Sequence, residues 1–277
     1  MALESFPPML LVAARFVLSG SILLAVSLIM GAHIPRGAEL VRNALNGVLI
    51  LGIGNGCLVL AETLIPSGLA ALIITISPFW MIGLNAIMPP RERLHAPTLF
   101  GMLVGLMGAV LLVGPTALQG GSTGAAMIRG FLILQAGCVA WTSGSLLQRR
   151  QTNRAHPIVA GGVQQLAAGI AFVPLAMLFP GPVHWSARGV GALLYLVIFG
   201  SIVGYSSYVF ALDRLPVAMV SLYNYVNPVV AVILGWLFYR EPFGVREAVA
   251  MLIIFAGVAL VKRLESRRAE RTVTSTG

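Results

Sequence analysis

The chain has 277 residues, 58% of them hydrophobic and only 10% charged, and its mean hydropathy is +0.91. Soluble domains carry about 25% charged residues, so there is too little polar side chain here to cover a water-facing surface. The net charge of +9 does not point to nucleic acid, because the basic residues form short clusters between apolar runs instead of one patch or stripe.

A bilayer core of about 30 Å is crossed by about 20 apolar residues of helix. Along the chain, runs of that size predict helices at 8–30, 42–61, 66–88, 97–115, 128–148, 157–179, 189–211, 216–238 and 244–262. Breaks such as PPRERLHAP, QRRQTNRAHP and FPGPVHWSARG separate them. A membrane β-barrel would show short alternating segments instead. The expectation is an all-α, polytopic membrane protein with nine transmembrane helices, four in its first half and five in its second. MALESFPP, a loop-like start, has no basic n-region or cleavage site and does not read as a signal peptide.

Orientation follows from where Arg and Lys lie. With the C-terminal residues Lys262, Arg263, Arg267, Arg268 and Arg271 in the cytoplasm, that side also holds Arg36, Arg42, Arg91, Arg93, Arg149, Arg150, Arg154 and Arg214. The opposite side holds Arg129, Arg188, Arg240 and Arg246, and Arg15 lies inside a span. The expected location is therefore the cell (inner) membrane, multi-pass, with the C-terminus cytoplasmic. Cys57 and Cys138 sit within apolar runs, and His33, His95, His156 and His184 fall in the breaks. No metal site, cofactor or catalytic group is expected. The expected partners are a small-molecule solute and the lipid bilayer, with no nucleic acid.

Self-similarity at a fixed offset marks a duplicated fold. Shifted by 150 residues, Gly54 falls on Gly204, Pro66 on Pro216 and Pro78 on Pro228; shifted by 149, Pro8 meets Pro157, Gly20 meets Gly169, Glu92 meets Glu241 and Gly108 meets Gly257. The implied organisation is a first repeat at 1–115, a linker at 116–127, a second repeat at 128–263 and a basic cytoplasmic tail at 264–277. The partner of GFLILQAGCVAWTSGSLLQRR would lie upstream of Met1, so the first repeat is expected to lack its first helix. With that helix restored, each repeat has an odd number of helices and the two enter the membrane from opposite faces. Such an inverted repeat places a solute site near the bilayer midplane.

SFPPMLLVAARFVLSG in the first copy and RLPVAMVSLYNYVNPVVAVILGWLFYREPF in the second carry a family likeness. The closing helices APTLFGMLVGLMGAVLLV and GVREAVAMLIIFAGVAL add to it. The chain resembles the drug/metabolite transporter superfamily, in its EamA-type branch of ten-helix permeases. The shared pattern is a polar residue before a mid-helix proline, then a glutamate before the next helix: Asn227-Pro228 with Glu241, and Ser77-Pro78 with Glu92. The resemblance implies a small-metabolite permease working by alternating access, exporting amino acids or similar polar solutes.

Pro228 stands 12 residues beyond Pro216, close to midplane at about 1.5 Å per residue. Proline removes a backbone N–H and clashes with the carbonyl four residues back, so Pro78 and Pro228 are expected hinges. Tyr223 and Asn227 share a face, with Asn224 beside them. The three either line a polar cavity or bond helix to helix. Arg15 is the charged side chain well within a span, and Gln164 is its repeat partner with Gln165 alongside. Arginine in hydrocarbon is costly. Arg15 is thus expected to hold a solute carboxylate or to pair with Glu62. Asn55 and Trp141 complete the expected substrate-binding set, with Tyr205, Thr75 and Ser77 as secondary candidates. The alternatives to a permease are an inactive or regulatory truncated membrane protein and, further off, a membrane-embedded enzyme. For an enzyme, the TSGS run at 142–145 supplies serines with no base in reach.

Overall fold

The computed structural model describes residues 2–88, 96–118, 121–151, 155–214, 230, 237 and 244–274, without the side chains of 96–99, 102, 112, 116, 117, 258 and 261–274. Among these residues the chain is helical and contains no strand. A short α1 (Ala2–Ser5) precedes α2 (Pro8–Ile29) and α3 (Gly37–Gly47), which runs on into a π-helical stretch, π1 (Val48–Asn55), and α4 (Gly56–Ala61). Then come α5 (Ser67–Ile74), α6 (Ser77–Ile87), α7 (Ala96–Leu118) and α8 (Gly121–Arg150). The second half continues with α9 (Pro157–Leu178), α10 (Ala187–Tyr195), a second π-helical stretch, π2 (Leu196–Tyr205), α11 (Ser206–Arg214) and α12 (Val245–Thr274).

Among the described residues, six rods are long and apolar enough to cross a membrane: Pro8–Ile29, Gly37–Ala61, Ser67–Ile87, Gly121–Arg150, Pro157–Leu178 and Ala187–Arg214. The runs predicted at 97–115 and 244–262 are helical too, within α7 and α12. The run at 216–238 lies outside the described residues except for 230 and 237. Several helices outrun their apolar stretch, because helix does not have to stop where lipid does. α3 starts at Gly37 with Glu39 in its first turn, and α8 ends on Arg149 and Arg150. Helix also occupies most of 116–127, since α7 reaches Leu118 and α8 begins at Gly121.

Proline and glycine set the helix ends. Pro8 and Pro157 stand in the first turns of α2 and α9, where a missing N–H costs nothing. Gly31 and Gly37, at φ 67° and 54°, turn the chain between α2 and α3 in a left-handed conformation that other residues resist. The start is not a loop: α1 is a single turn whose Ser5 hydroxyl bonds that of Ser186 at 2.9 Å. Ser5 C=O accepts from His184 N–H at 2.9 Å, and Phe6 meets Trp185 edge to face at 5.6 Å.

Two compact units form, and each draws on both halves of the chain: Met1–Thr63 with Val139–Val220, and Leu64–Cys138 with Ser221–Gly277. In the first unit α2 packs against α9. A Cβ on Gly20 would stand 2.9 Å from the Gly162 carbonyl oxygen and collide with the Leu166 main chain; one on Gly169 would stand 2.5 Å from Val17 N. Main chain touches main chain, as small residues permit between membrane helices. Residues 16–17 face 169 while 23–24 face 162, so the helices run antiparallel. Gly20 and Gly169 exchange under a shift of 149, and so do Val17 and Leu166, so the contact mirrors itself. Phe16, Ile50, Leu51, Ala168 and Phe172 close the core around it.

The second unit repeats the device. α7 packs on α12 with a Cβ on Gly108 falling 3.0 Å from the Ala250 carbonyl oxygen, and one on Gly257 falling 2.5 Å from Gly105 N. This pair is also antiparallel and self-mirroring, because Gly105 and Ile254 exchange under the same shift. Beside it α5 ends at Ile74 and α6 starts at Ser77. Pro78 was expected as a hinge within the span at 66–88. The rod tightens into a turn at 75–76, and Pro78 lies in the first turn of α6. The turn is tied by main chain and side chains together: Thr75 N–H donates to Leu72 O and Ile76 N–H to Ile73 O, each at 3.2 Å, while Ser77 Oγ donates to Ile74 O at 2.6 Å and Thr75 Oγ1 adds a second bond to Leu72 O.

Candidate functional site: a polar network in an apolar unit

Two polar stripes meet in the first unit. On α8, Trp141, Ser145 and Gln148 recur at four and seven residues, and on π2 and α11 so do Ser201, Tyr205 and Tyr208. That spacing puts each trio on one helix face. Tyr208 OH lies 2.8 Å from Ser145 Oγ and accepts from Trp141 Nε1 at 3.2 Å. Tyr205 stacks on Tyr208 at 5.9 Å and meets Trp141 edge to face at 6.3 Å. Ser145 Oγ also lies 2.7 Å from the Trp141 carbonyl.

The antiparallel pair supplies the rest. Gln164 of α9 is fully buried; its Oε1 accepts from Tyr205 OH at 2.6 Å and its Nε2 donates to Gln148 Oε1 at 3.2 Å. Gln165, also fully buried, donates from Nε2 to the Ser201 main-chain oxygen at 3.3 Å. Arg15 of α2 donates from Nε to Ser201 Oγ at 2.7 Å. Its guanidinium lies 4.9 Å from the Phe16 ring centroid, and a Cβ on Gly200 would stand 2.8 Å from its Nη2. Gly200 therefore leaves the room that Arg15 occupies. Glu62 acts electrostatically on Arg15. Among the described residues, two buried atoms of this unit have no hydrogen-bond partner, Gln165 Oε1 and Ser206 Oγ.

Of the residues expected from sequence, Arg15, Gln164 and Trp141 come together here, and the secondary candidate Tyr205 is central. Asn55 ends π1, partly exposed, and takes no part in the network. Pro78, Thr75 and Ser77 lie in the other unit, at the helix interruption. There Trp80 Nε1 donates to Gln135 Oε1 at 2.8 Å and Ser77 Oγ lies 3.3 Å from Cys138 Sγ. Tyr223, Asn224, Asn227 and Pro228 lie outside the described residues. Ser145, Gln148, Ser201 and Tyr208 were missed by sequence reasoning. Their signal was the spacing of four and seven on otherwise apolar helices.

Chemically the network offers donors, acceptors and one cation, without a nucleophile next to a base among the described residues. It can hold a polar solute by hydrogen bonds and charge. A many-helix membrane protein with such a polar interior has the build of a multi-pass transporter. The EamA-like transporter family matches residues 1–114 and 128–263, and the chain belongs to it. It is 31% identical over 261 residues to the "Uncharacterized inner membrane transporter YedA" of Escherichia coli (strain K12), covering 93% of this chain and 82% of that one. Protein PecM of Dickeya dadantii (strain 3937) is 26% identical over 249 residues, 88% of this chain and 81% of PecM. A solved crystal structure superposes with a TM-score of 0.70 at 26% identity, covering 96% of this chain and 90% of that one.

Proposed function

We propose that the chain moves a small polar metabolite, an amino acid or related solute, out of the cell by alternating access. Residues 1–115 and 128–263 then act as two inverted copies in the inner membrane, with the C-terminus in the cytoplasm. The observation that carries this reading is the network around Arg15, Gln164 and Ser201. Polar and charged groups inside a membrane protein are expensive and mark solute paths, and here they are gathered on helices from both halves of the chain. The self-mirroring antiparallel contacts of α2 with α9 and α7 with α12 support the inverted-copy reading. Solute is contacted by Arg15, Gln164 and Trp141 of the first unit. The arginine tally supports the orientation.

The test is counterflow. Vesicles containing the full chain are loaded with unlabelled amino acids and given a labelled mixture of the same compounds outside. Transient accumulation of label above protein-free vesicles is the expected result, and it separates a carrier from an open pore. Absence of any counterflow would remove the proposal. Cysteine reporters next to Arg91 and next to Arg240 should label from opposite sides of the membrane.

A further inference from the structure

The two π-helical stretches occupy equivalent places in the two halves: Val48 lies 148 residues before Leu196, and Asn55 lies 150 before Tyr205. Their packing is equivalent too, since π1 lies against α9 and π2 against α2. Wide-wound helix is rare and concentrates at functional sites. Their side chains differ, however. π1 reads VLILGIGN, and its one polar side chain, Asn55, has no hydrogen bond among the described residues. π2 reads LVIFGSIVGY and is gripped three times, by Arg15 on Ser201 Oγ, Gln165 on Ser201 O and Gln164 on Tyr205 OH.

The grip by Gln165 is of a different kind, because it falls on the main chain. At the end of π2 the Ser206 N–H turns back to Val203 O, and the Ser201 carbonyl is met by an amide from another helix. Holding that amide fully buried with Oε1 unpaired costs free energy that an apolar side chain would avoid. Ser206 Oγ is the other buried orphan of this unit, on α11, which packs against α9. A buried orphan calls for an explanation, and two of them on neighbouring elements fit a segment with a second arrangement.

We propose that Gln165 is a positioning residue for transport: by donating to the Ser201 carbonyl it holds residues 196–205 in the wide-wound form, which keeps Ser201 on Arg15 and Tyr205 on Gln164. Release of that bond lets π2 rewind, and rewinding turns Ser201 and Tyr205 away from their partners. The solute path therefore opens and closes from π2, while π1 serves as its passive counterpart. This rests on the proposed carrier function, but its first test does not.

Hydrogen exchange of the full chain in lipid nanodiscs, without solute, compares wild type with Gln165→Leu, which removes the donor at similar volume. Amides of 200–207 should exchange at least about tenfold faster, with α2 and α9 unchanged and the same melting temperature. Exchange that is unchanged, or that rises equally through α2 and α9, overturns the proposal, the second because it marks simple loss of packing. Should Gln165→Leu not accumulate, Gln165→Asn keeps the amide but falls short of the carbonyl and should give the same local loosening. In the counterflow assay Gln165→Leu should lower the maximal rate and leave half-saturation unchanged. A wild type without counterflow sinks the carrier reading and leaves the exchange result standing. Counterflow without local loosening sinks this inference alone.

Discussion

The molecule holds two antiparallel helix pairs built on one plan and put to different use. In α2/α9 and in α7/α12 a glycine from each helix lays its main chain on the other, and each contact repeats itself with the partners exchanged. The first pair carries Arg15, Gln164 and Gln165 beside its glycines. The second carries aliphatic residues there, with Ala250 and Ile254 fully buried. Close approach of main chains is thus a scaffold property common to both units, and function is added by the polar side chains set next to it. Outward, both pairs show aliphatic side chains suited to lipid, such as Leu18, Ile22 and Val26 on α2 and Leu103, Leu106 and Val110 on α7.

The largest effect expected from this comparison is one that should not distinguish the pairs. Gly169→Leu drives a side chain into Val17 and Gly257→Leu into Gly105, in each case against main chain that cannot rotate away. Overpacking costs about 1–3 kcal/mol where side chains can yield, and more is expected where they cannot. Both variants should fail to give a monodisperse peak in detergent chromatography. If Gly257→Leu folds and Gly169→Leu does not, the two contacts are not equivalent.

Arg15 should separate the pairs. Arg15→Leu removes the cation from the path and should reduce counterflow by about a hundredfold or more, in line with the roughly 3 kcal/mol that a bond to a charged group contributes. Its melting temperature should stay level or rise, because apolar replacement of a buried charge is often neutral or stabilising. A large drop in stability with flux retained would make Arg15 part of the scaffold.

A smaller effect is expected at Tyr205. Tyr205→Phe keeps the stacked ring and leaves Gln164 Oε1 without its donor, which should lower stability by about 1 kcal/mol, within the range for interhelical bonds in membranes. Paired with Gln164→Leu, the double variant should lose less than the two single losses added together, since they share one bond. Full additivity would deny that the 2.6 Å contact matters.

Much of this was legible in the sequence. Apolar run length marks the helices found among the described residues, and the shift of 149 that aligns Gly20 with Gly169 also aligns the helices that touch at those glycines. Arg15 with Gln164 was visible as a polar residue in both copies. The π winding was not, because an aliphatic stretch such as VLILGIGN reads the same in either helix. Gln165 bonds a main-chain oxygen, and no residue pattern on π2 announces that. Pro78 was read as a hinge, but the tight turn ahead of it at 75–76, tied by the hydroxyls of Thr75 and Ser77, was not read. Polar residues next to a proline are ambiguous between bend and break until their acceptors are known.

The finest test bears on glycines that no close contact requires among the described residues. Among the described residues, Gly83, in α6 of the second unit, has no atom within 4 Å of where a Cβ would stand, and Gly114 of α7 has one ordinary contact, Val110 Cγ1 at 3.7 Å. If glycine is kept in these helices only for close approach, neither position needs it. Alanine inside a helix is favoured over glycine by about 0.5–1 kcal/mol, so Gly83→Ala and Gly114→Ala should each raise the melting temperature slightly. Carrier action adds a condition for Gly83, which lies five residues beyond Pro78 at the start of α6. If α6 closes onto a neighbour during the cycle, Gly83→Ala will stabilise the resting protein and still slow counterflow, while Gly114→Ala will stabilise without slowing. Equal behaviour of the two would place the moving surface elsewhere than this face of α6.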